Sequence, residues 1–200
     1  STTTKLILNP DTTGTWSLTG PIRIDIDINC TGTLTLAASS IGLFNGTGAS
    51  AARTFRVVAG TVNVASGNIF SLGGNWILDT AGINFDTLNI FGVASTQTFQ
   101  LDSLLTANRI QHTGPMDNRF TGAFGWTTNE FFATYNTPVS PIFILTAGNT
   151  YNVNTNLTLT GLTGQRVKFF SLTTSSYAFF NLNPSATQNL SFVEATDIDS

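Results

Sequence analysis

Five strand-like runs follow one another through the last sixty residues, at 143–147, 151–160, 166–171, 177–182 and 190–199, each closed by Gly, Asn, Pro or Ser. Within them the apolar positions Leu159, Phe169, Phe179 and Phe192 recur about every ten to thirteen residues. A chain that turns this often has no room for long helices. The spacing is that of an all-β sandwich, barrel or solenoid. No stretch of a dozen residues holds a 3.6-residue apolar period without interruption by Gly or a β-branched residue.

The same pattern runs upstream. Short strands are expected at 5–8, 15–18, 22–29, 33–36, 54–58, 61–65, 76–78, 87–91 and 98–101. The clearest alternation places Ile22, Ile24, Ile26 and Ile28 on one face and Arg23, Asp25, Asp27 and Asn29 on the other. Such a strand packs the first face and wets the second. The connectors, among them Asn45-Gly46, Ala59-Gly60 and Gly73-Gly74-Asn75, carry turn chemistry. Asn45-Gly46 is a candidate tight hairpin, but most corners place Gly beside Ser, Ala or Asn without that pattern. Sharp corners between flat sheets favour a parallel β-helix, a β-solenoid in which stacked coils share one core. An antiparallel β-sandwich is the alternative.

Three regions are expected. Residues 1–103 form β-rich coils, 104–140 form a less regular, aromatic-rich segment, and 141–200 form coils that are expected to continue past Ser200. The middle segment holds the only His (His112), the only Met (Met116) and the aromatics Phe120, Phe124, Trp126, Phe131, Phe132 and Tyr135.

Composition excludes several functions. Charged residues fill only 10% of the chain, while Thr, Asn and Ser fill 69 of 200 positions. The strand faces that meet water are therefore neutral and hydrogen-bonding. Eight scattered basic residues and a net charge of −3 do not make a phosphate-binding surface, so no nucleic-acid partner is expected. An uninterrupted apolar run of about 18 residues is also missing, so no membrane insertion is expected. The single Cys30 excludes an internal disulfide and a multi-cysteine metal site; no cofactor is expected.

Carboxylate pairs are the nearest thing to a catalytic signal. Glycosidases hold two carboxyl groups about 5–10 Å apart. Asp25 with Asp27, and Asp197 with Asp199, are spaced two apart as on one strand face, with Glu194 upstream of the second pair. Any wet strand face gives the same spacing, and these groups equally suit a solvated face, a turn cap or, less well, Ca²⁺. The calcium-binding Gly-Gly-x-Gly-x-Asp nonapeptide is absent, and no metal site is expected. His112, with Asp117 nearby, lacks a Gly-x-Ser-x-Gly elbow and reads as a packing or surface residue. Trp16, Trp76, Trp126 and Tyr135 would stack on sugar rings if exposed, Trp126 and Tyr135 being the foremost candidates, but core packing is the simpler reading of these aromatics.

The stretches 151–161, 166–171 and 185–200, the last ending Ala-Thr-Asp-Ile-Asp-Ser, resemble right-handed parallel β-helix segments of tailed-phage virion proteins and of large bacterial surface proteins. Trp126-Thr-Thr-Asn129 and the run Ala147 to Tyr151 are similar in the same way. The resemblance covers about a third of the chain. It implies a virion fibre, appendage or decoration with a scaffold or attachment role, acting as a homo-oligomer beside other virion or surface proteins. A bacterial cell surface or secreted location is the alternative to the virion. The alternative function is a tailspike or adhesin directed at a host glycan, which would bind polysaccharide or cleave it as a glycoside hydrolase or lyase.

Overall fold

In the computed structural model every strand pairing among the described residues is parallel. An isolated antiparallel bridge between Leu162 and Gln165 lies outside the strands. The structure describes residues 5–8, 14–16, 25–36, 40–45, 52–64, 69–81, 83–91, 96–114, 117–135 and 141–199; before position 52, Ile26 and Asp27 are the only side chains described. These residues contain strands and no helix, stacked as a parallel β-helix. The antiparallel sandwich is thereby excluded.

Each coil offers three strand positions, because the long strands divide between two neighbours. The first position is built from β1 (Lys5–Leu8), the start of β3 (Asp25–Leu36), the start of β5 (Arg53–Val64), β7 (Trp76–Asp79), β9 (Gln97–Leu101), β11 (Asn118–Gly122), β13 (Ile142–Leu145), β15 (Val167–Ser171) and β18 (Val193–Thr196). The second runs from β2 (Gly14–Trp16) through the ends of β3 and β5 to the starts of β8 (Ile83–Phe91), β10 (Leu105–Thr113), β12 (Trp126–Thr134) and β14 (Thr150–Thr160), then β16 (Ala178–Leu182) and β19 (Ile198–Asp199). The third takes β4 (Ser40–Asn45), β6 (Ile69–Gly74), the ends of β8, β10, β12 and β14, and β17 (Thr187–Ser191).

Parallel in-register pairing places like residues over like. Ile26, Phe55, Leu78 and Leu101 form one buried column, and Trp76, Phe99, Phe120 and Leu145 another. Phe70, Leu88, Ile110, Phe131 and Leu157 make a third, facing them from the third strand position. Rings meet throughout: Phe143 stacks on Phe169 at 4.9 Å, and Trp126 on Phe131 at 5.4 Å. Gly122 ends the first column with φ of 100°, and a Cβ there would run into the backbone of Leu101.

The column Trp76–Phe99–Phe120–Leu145–Ser171 advances by 23, 21, 25 and 26 residues per turn. The ten-to-thirteen spacing read from the sequence is thus about half a turn. Of its four markers, Leu159 and Phe169 are buried, whereas Phe179 and Phe192 face solvent and Phe180 takes the inward place. The segment 104–140 differs from expectation too. Its described residues carry β10, β11 and β12 in register with the coils on either side. Phe120, Trp126, Phe131 and Tyr135 point inward, while Phe124 and Phe132 point out. Alternation looked weak there because Phe131 and Phe132 are neighbours on opposite faces.

Burying one large apolar side chain stabilises by about 1.5–3 kcal/mol, and truncating it also leaves a cavity. Phe131→Ala is expected to cost about 3–5 kcal/mol, whereas Phe132→Ala, on the outer face, should stay within about 1 kcal/mol. Urea unfolding of the two variants beside the parent checks this contrast.

Candidate functional site

The sequence-derived site residues do not converge. Asp27 is only 7% exposed and lies in register with Arg56 of the next coil, whose guanidinium donates to it at 2.9 Å. The wet position expected for it is therefore corrected: the ion pair with Arg56 offsets the burial of its carboxylate. The Asp27 carboxylate raises the Arg56 pKa by hydrogen bonding and by charge. The Asp25 side chain lies outside the described residues, as do those of Trp16 and Cys30.

The other three acids sit at the opposite end of the stack. Asp197 does not share a strand face with Asp199. It occupies the bend between β18 and β19 with φ of 55°, and its Oδ2 accepts the Ser175 N–H at 3.1 Å. That is a turn cap. Glu194 pairs at 3.6 Å with Arg166, its neighbour one coil back. Asp25 and Asp27 on β3 are separated from Glu194, Asp197 and Asp199 by the length of the solenoid. Among the described residues no three of His, Cys, Asp and Glu are placed to hold a metal ion.

The aromatic candidates for sugar stacking are corrected as well. Trp126 is 0% and Tyr135 5% exposed, and Trp76 is buried with them. Trp126 lies edge-on to Tyr151 at 4.4 Å and to Phe120 at 4.7 Å. Its Nε1 has no hydrogen-bond partner, a cost the ring contacts must offset. None of the three can reach a ligand from the core.

His112 belongs to a buried polar chain. Its Nδ1 meets the Tyr135 hydroxyl, and Asn118 Nδ2 lies 2.5 Å from its Nε2. Asn118 in turn sits beneath Gln97, which accepts the Gly74 N–H at 2.5 Å and donates to the Phe91 carbonyl at 3.0 Å. With the Asn118 amide donating to Nε2, the imidazole proton resides on Nδ1 and points at Tyr135. The chain satisfies polar groups inside an apolar column and ties successive coils together. Burial pushes Tyr135 far above its usual range and holds His112 down at about 4.

A different surface carries organised polar chemistry. The polar-x-polar pattern recurs once per coil at the second strand position: Asn84-Phe-Asp86, Thr106-Ala-Asn108, Thr127-Thr-Asn129, Asn152-Val-Asn154 and Asn181-Leu-Asn183. Its outer residues form two hydrogen-bonded files. In one, Asn154 donates to Asn129 at 3.3 Å, Asn129 to Asn108 at 3.0 Å, and Asn108 to Asp86 at 3.3 Å. In the other, Asn181 donates to Asn152 at 3.3 Å and Asn152 to Thr127 at 3.2 Å. The bend beside the first file is held by the Thr128 hydroxyl, within reach of the Asn108 and Glu130 carbonyls, where β14 carries an irregular register. A trough of about 310 Å³ runs along these files, lined by Asn84, Thr106, Asn108, Thr127, Asn129 and Asn154 over a floor of Phe85, Ala107 and Thr128. Sequence reasoning missed these residues because Asn and Thr are common throughout. The signal was their recurrence at the coil period, which shows once 21–26 residues is taken as the repeat.

The chain matches no protein-family model, no curated protein and no solved structure.

The buried imidazole sets an acid limit. Folded His112 stays neutral down to about pH 4, whereas the unfolded chain protonates it near 6.5. The unfolded state then binds the extra proton. Stability from this group is complete above pH 6.5, falls as pH drops toward 4, and is flat below, for a total on the order of 3 kcal/mol. Urea midpoints of the parent should fall across that window more steeply than those of His112→Phe. Parallel curves would contradict the burial.

Proposed function

We propose that this chain is a structural element of a surface assembly, a fibre, appendage or decoration of a virion or its counterpart on a bacterial cell surface, with a scaffold or attachment role. The observation that carries the reading is the parallel ladder of the described strands over one shared apolar core. Such a stack makes backbone hydrogen bonds that run along the long axis and gives stiffness at little cost in loops. Its surface suits crowding, since a largely neutral exterior limits repulsion between identical copies.

The last described coil carries apolar surface. Leu172, Tyr177, Leu190 and Phe192 are exposed there, beside an apolar concavity of about 410 Å³ that reaches Leu157 and Phe180. Apolar surface of this kind marks contact sites on soluble proteins. A further coil, another copy or an assembly protein would cover it.

The test is the assembly state and its resistance. Purified protein should sediment as a multiple of the monomer mass and survive thermolysin in native buffer. An antibody raised against it should label intact particles or cell surfaces. A monomer digested within minutes, with label confined to the cell interior, would contradict the proposal.

A further inference from the structure

We infer that the trough along the second strand position is a binding site for a neutral oligosaccharide, laid lengthwise across successive coils. The inference rests on the attachment half of the proposed function and gives that role a ligand class and a place.

The lining decides the class. Asn84, Thr106, Asn108, Thr127, Asn129 and Asn154 present carboxamides and hydroxyls, and the lining includes no Asp, Glu, Lys, Arg or His. Phosphate or sulfate would meet no cation there, and a basic ligand no carboxylate within the trough. An apolar segment would strand the amides. Sugar hydroxyls both donate and accept, as a carboxamide does, so each can pair with the same side chain in either sense.

The files also hold the groups in place beforehand. Asn108 and Asn129 each spend one N–H and one oxygen lone pair on their neighbours along the file. A carboxamide has two of each, so each residue keeps a second N–H and a second lone pair at fixed orientation for a ligand. Fixing them in advance lowers the entropy lost on binding. The geometry repeats: coils follow at about 4.8 Å, and the two files stand about 7 Å apart, two residues along each strand. An extended polymer with a regular hydroxyl period can therefore make the same contacts at several coils. No indole or phenol borders the trough, so contact with one chain is weak. Repetition across coils and across copies supplies the rest.

The experiment is a side-chain amide titration of the ¹⁵N-labelled protein with short cello-, manno- and chito-oligosaccharides, and with sulfated and uronate oligosaccharides for comparison. The expected result is saturable shifts of the Asn108, Asn129 and Asn154 side-chain amides with at least one neutral series, at millimolar concentration and tighter with increasing chain length. Asn129→Leu, which breaks a file, and Thr106→Arg, which fills the trough and leaves both files intact, should each weaken binding at least tenfold. Thr106→Arg gives up only the long Thr106 hydroxyl contact to the Ile83 carbonyl at 3.4 Å, so its unfolding midpoint should stay close to that of the parent and its loss of binding reports the trough. Absence of saturable shifts with every neutral series, tighter binding of the charged series, or unchanged binding by Thr106→Arg would overturn the site. A protein that assembles and resists protease yet ignores these sugars loses the glycan site and keeps the structural role.

Discussion

Parallel, in-register pairing is the constraint from which the rest of this structure follows. Each strand inside the stack is hydrogen-bonded to the coil before and the coil after, so a side chain that points inward meets another at the same level of the neighbouring coil. One turn cannot bury its own apolar face. A column such as Phe70–Leu88–Ile110–Phe131–Leu157 is stable because each member is covered by the next. The same rule acts on the outer surface, where it builds files of Asn and Thr in place of files of Phe.

Polar groups inside the column have to be satisfied along it. Gln97 and Asn118 lie one above the other in the place that Phe143 and Phe169 occupy in later coils. They are tolerated because His112, Tyr135 and the Gly74 and Phe91 backbones complete their hydrogen bonds. A half-satisfied chain of this kind would be worse than an apolar column. The same arrangement keeps His112 away from solvent. Its ring is sealed between coils, and Phe143 covers it edge-on at 5.2 Å.

Much of the fold was legible because strand chemistry is local. Expected runs at 5–8, 76–78 and 151–160 coincide with β1, β7 and β14 to within a residue, and the corner residues argued for coils over hairpins. β4 ends at Asn45 and pairs in parallel with β6, while Gly46, the second half of the expected Asn45-Gly46 turn, lies outside the described residues. The strands β4, β6, β10, β11 and β12 were missed. Gly in β4 and β6 and consecutive aromatics in β12 blur a period of two, and the pairing that holds them is supplied from other coils. Site residues fared worse for the same reason. Asp27 reads as wet until Arg56 arrives from 29 positions away, whereas for Trp126 and Tyr135 the simpler core reading is the one the structure shows. The Asn and Thr files exist only between coils, so they become visible once the length of a turn is known.

The central claim concerns which residues are neighbours across coils, and cysteine cross-linking reads that directly. Thr98 and Arg119 are in register on adjacent first-position strands, and Ile144 lies one coil further along the same outer file. In a background with Cys30 replaced, cysteines at 98 and 119 sit about 4.8 Å apart, within disulfide reach, whereas 98 and 144 are about 9.6 Å apart and beyond it. Stacked coils predict rapid oxidation of the first pair, seen as a shift on a non-reducing gel, and none of the second. Failure of the first pair to close, or equal closure of both, would contradict the stack.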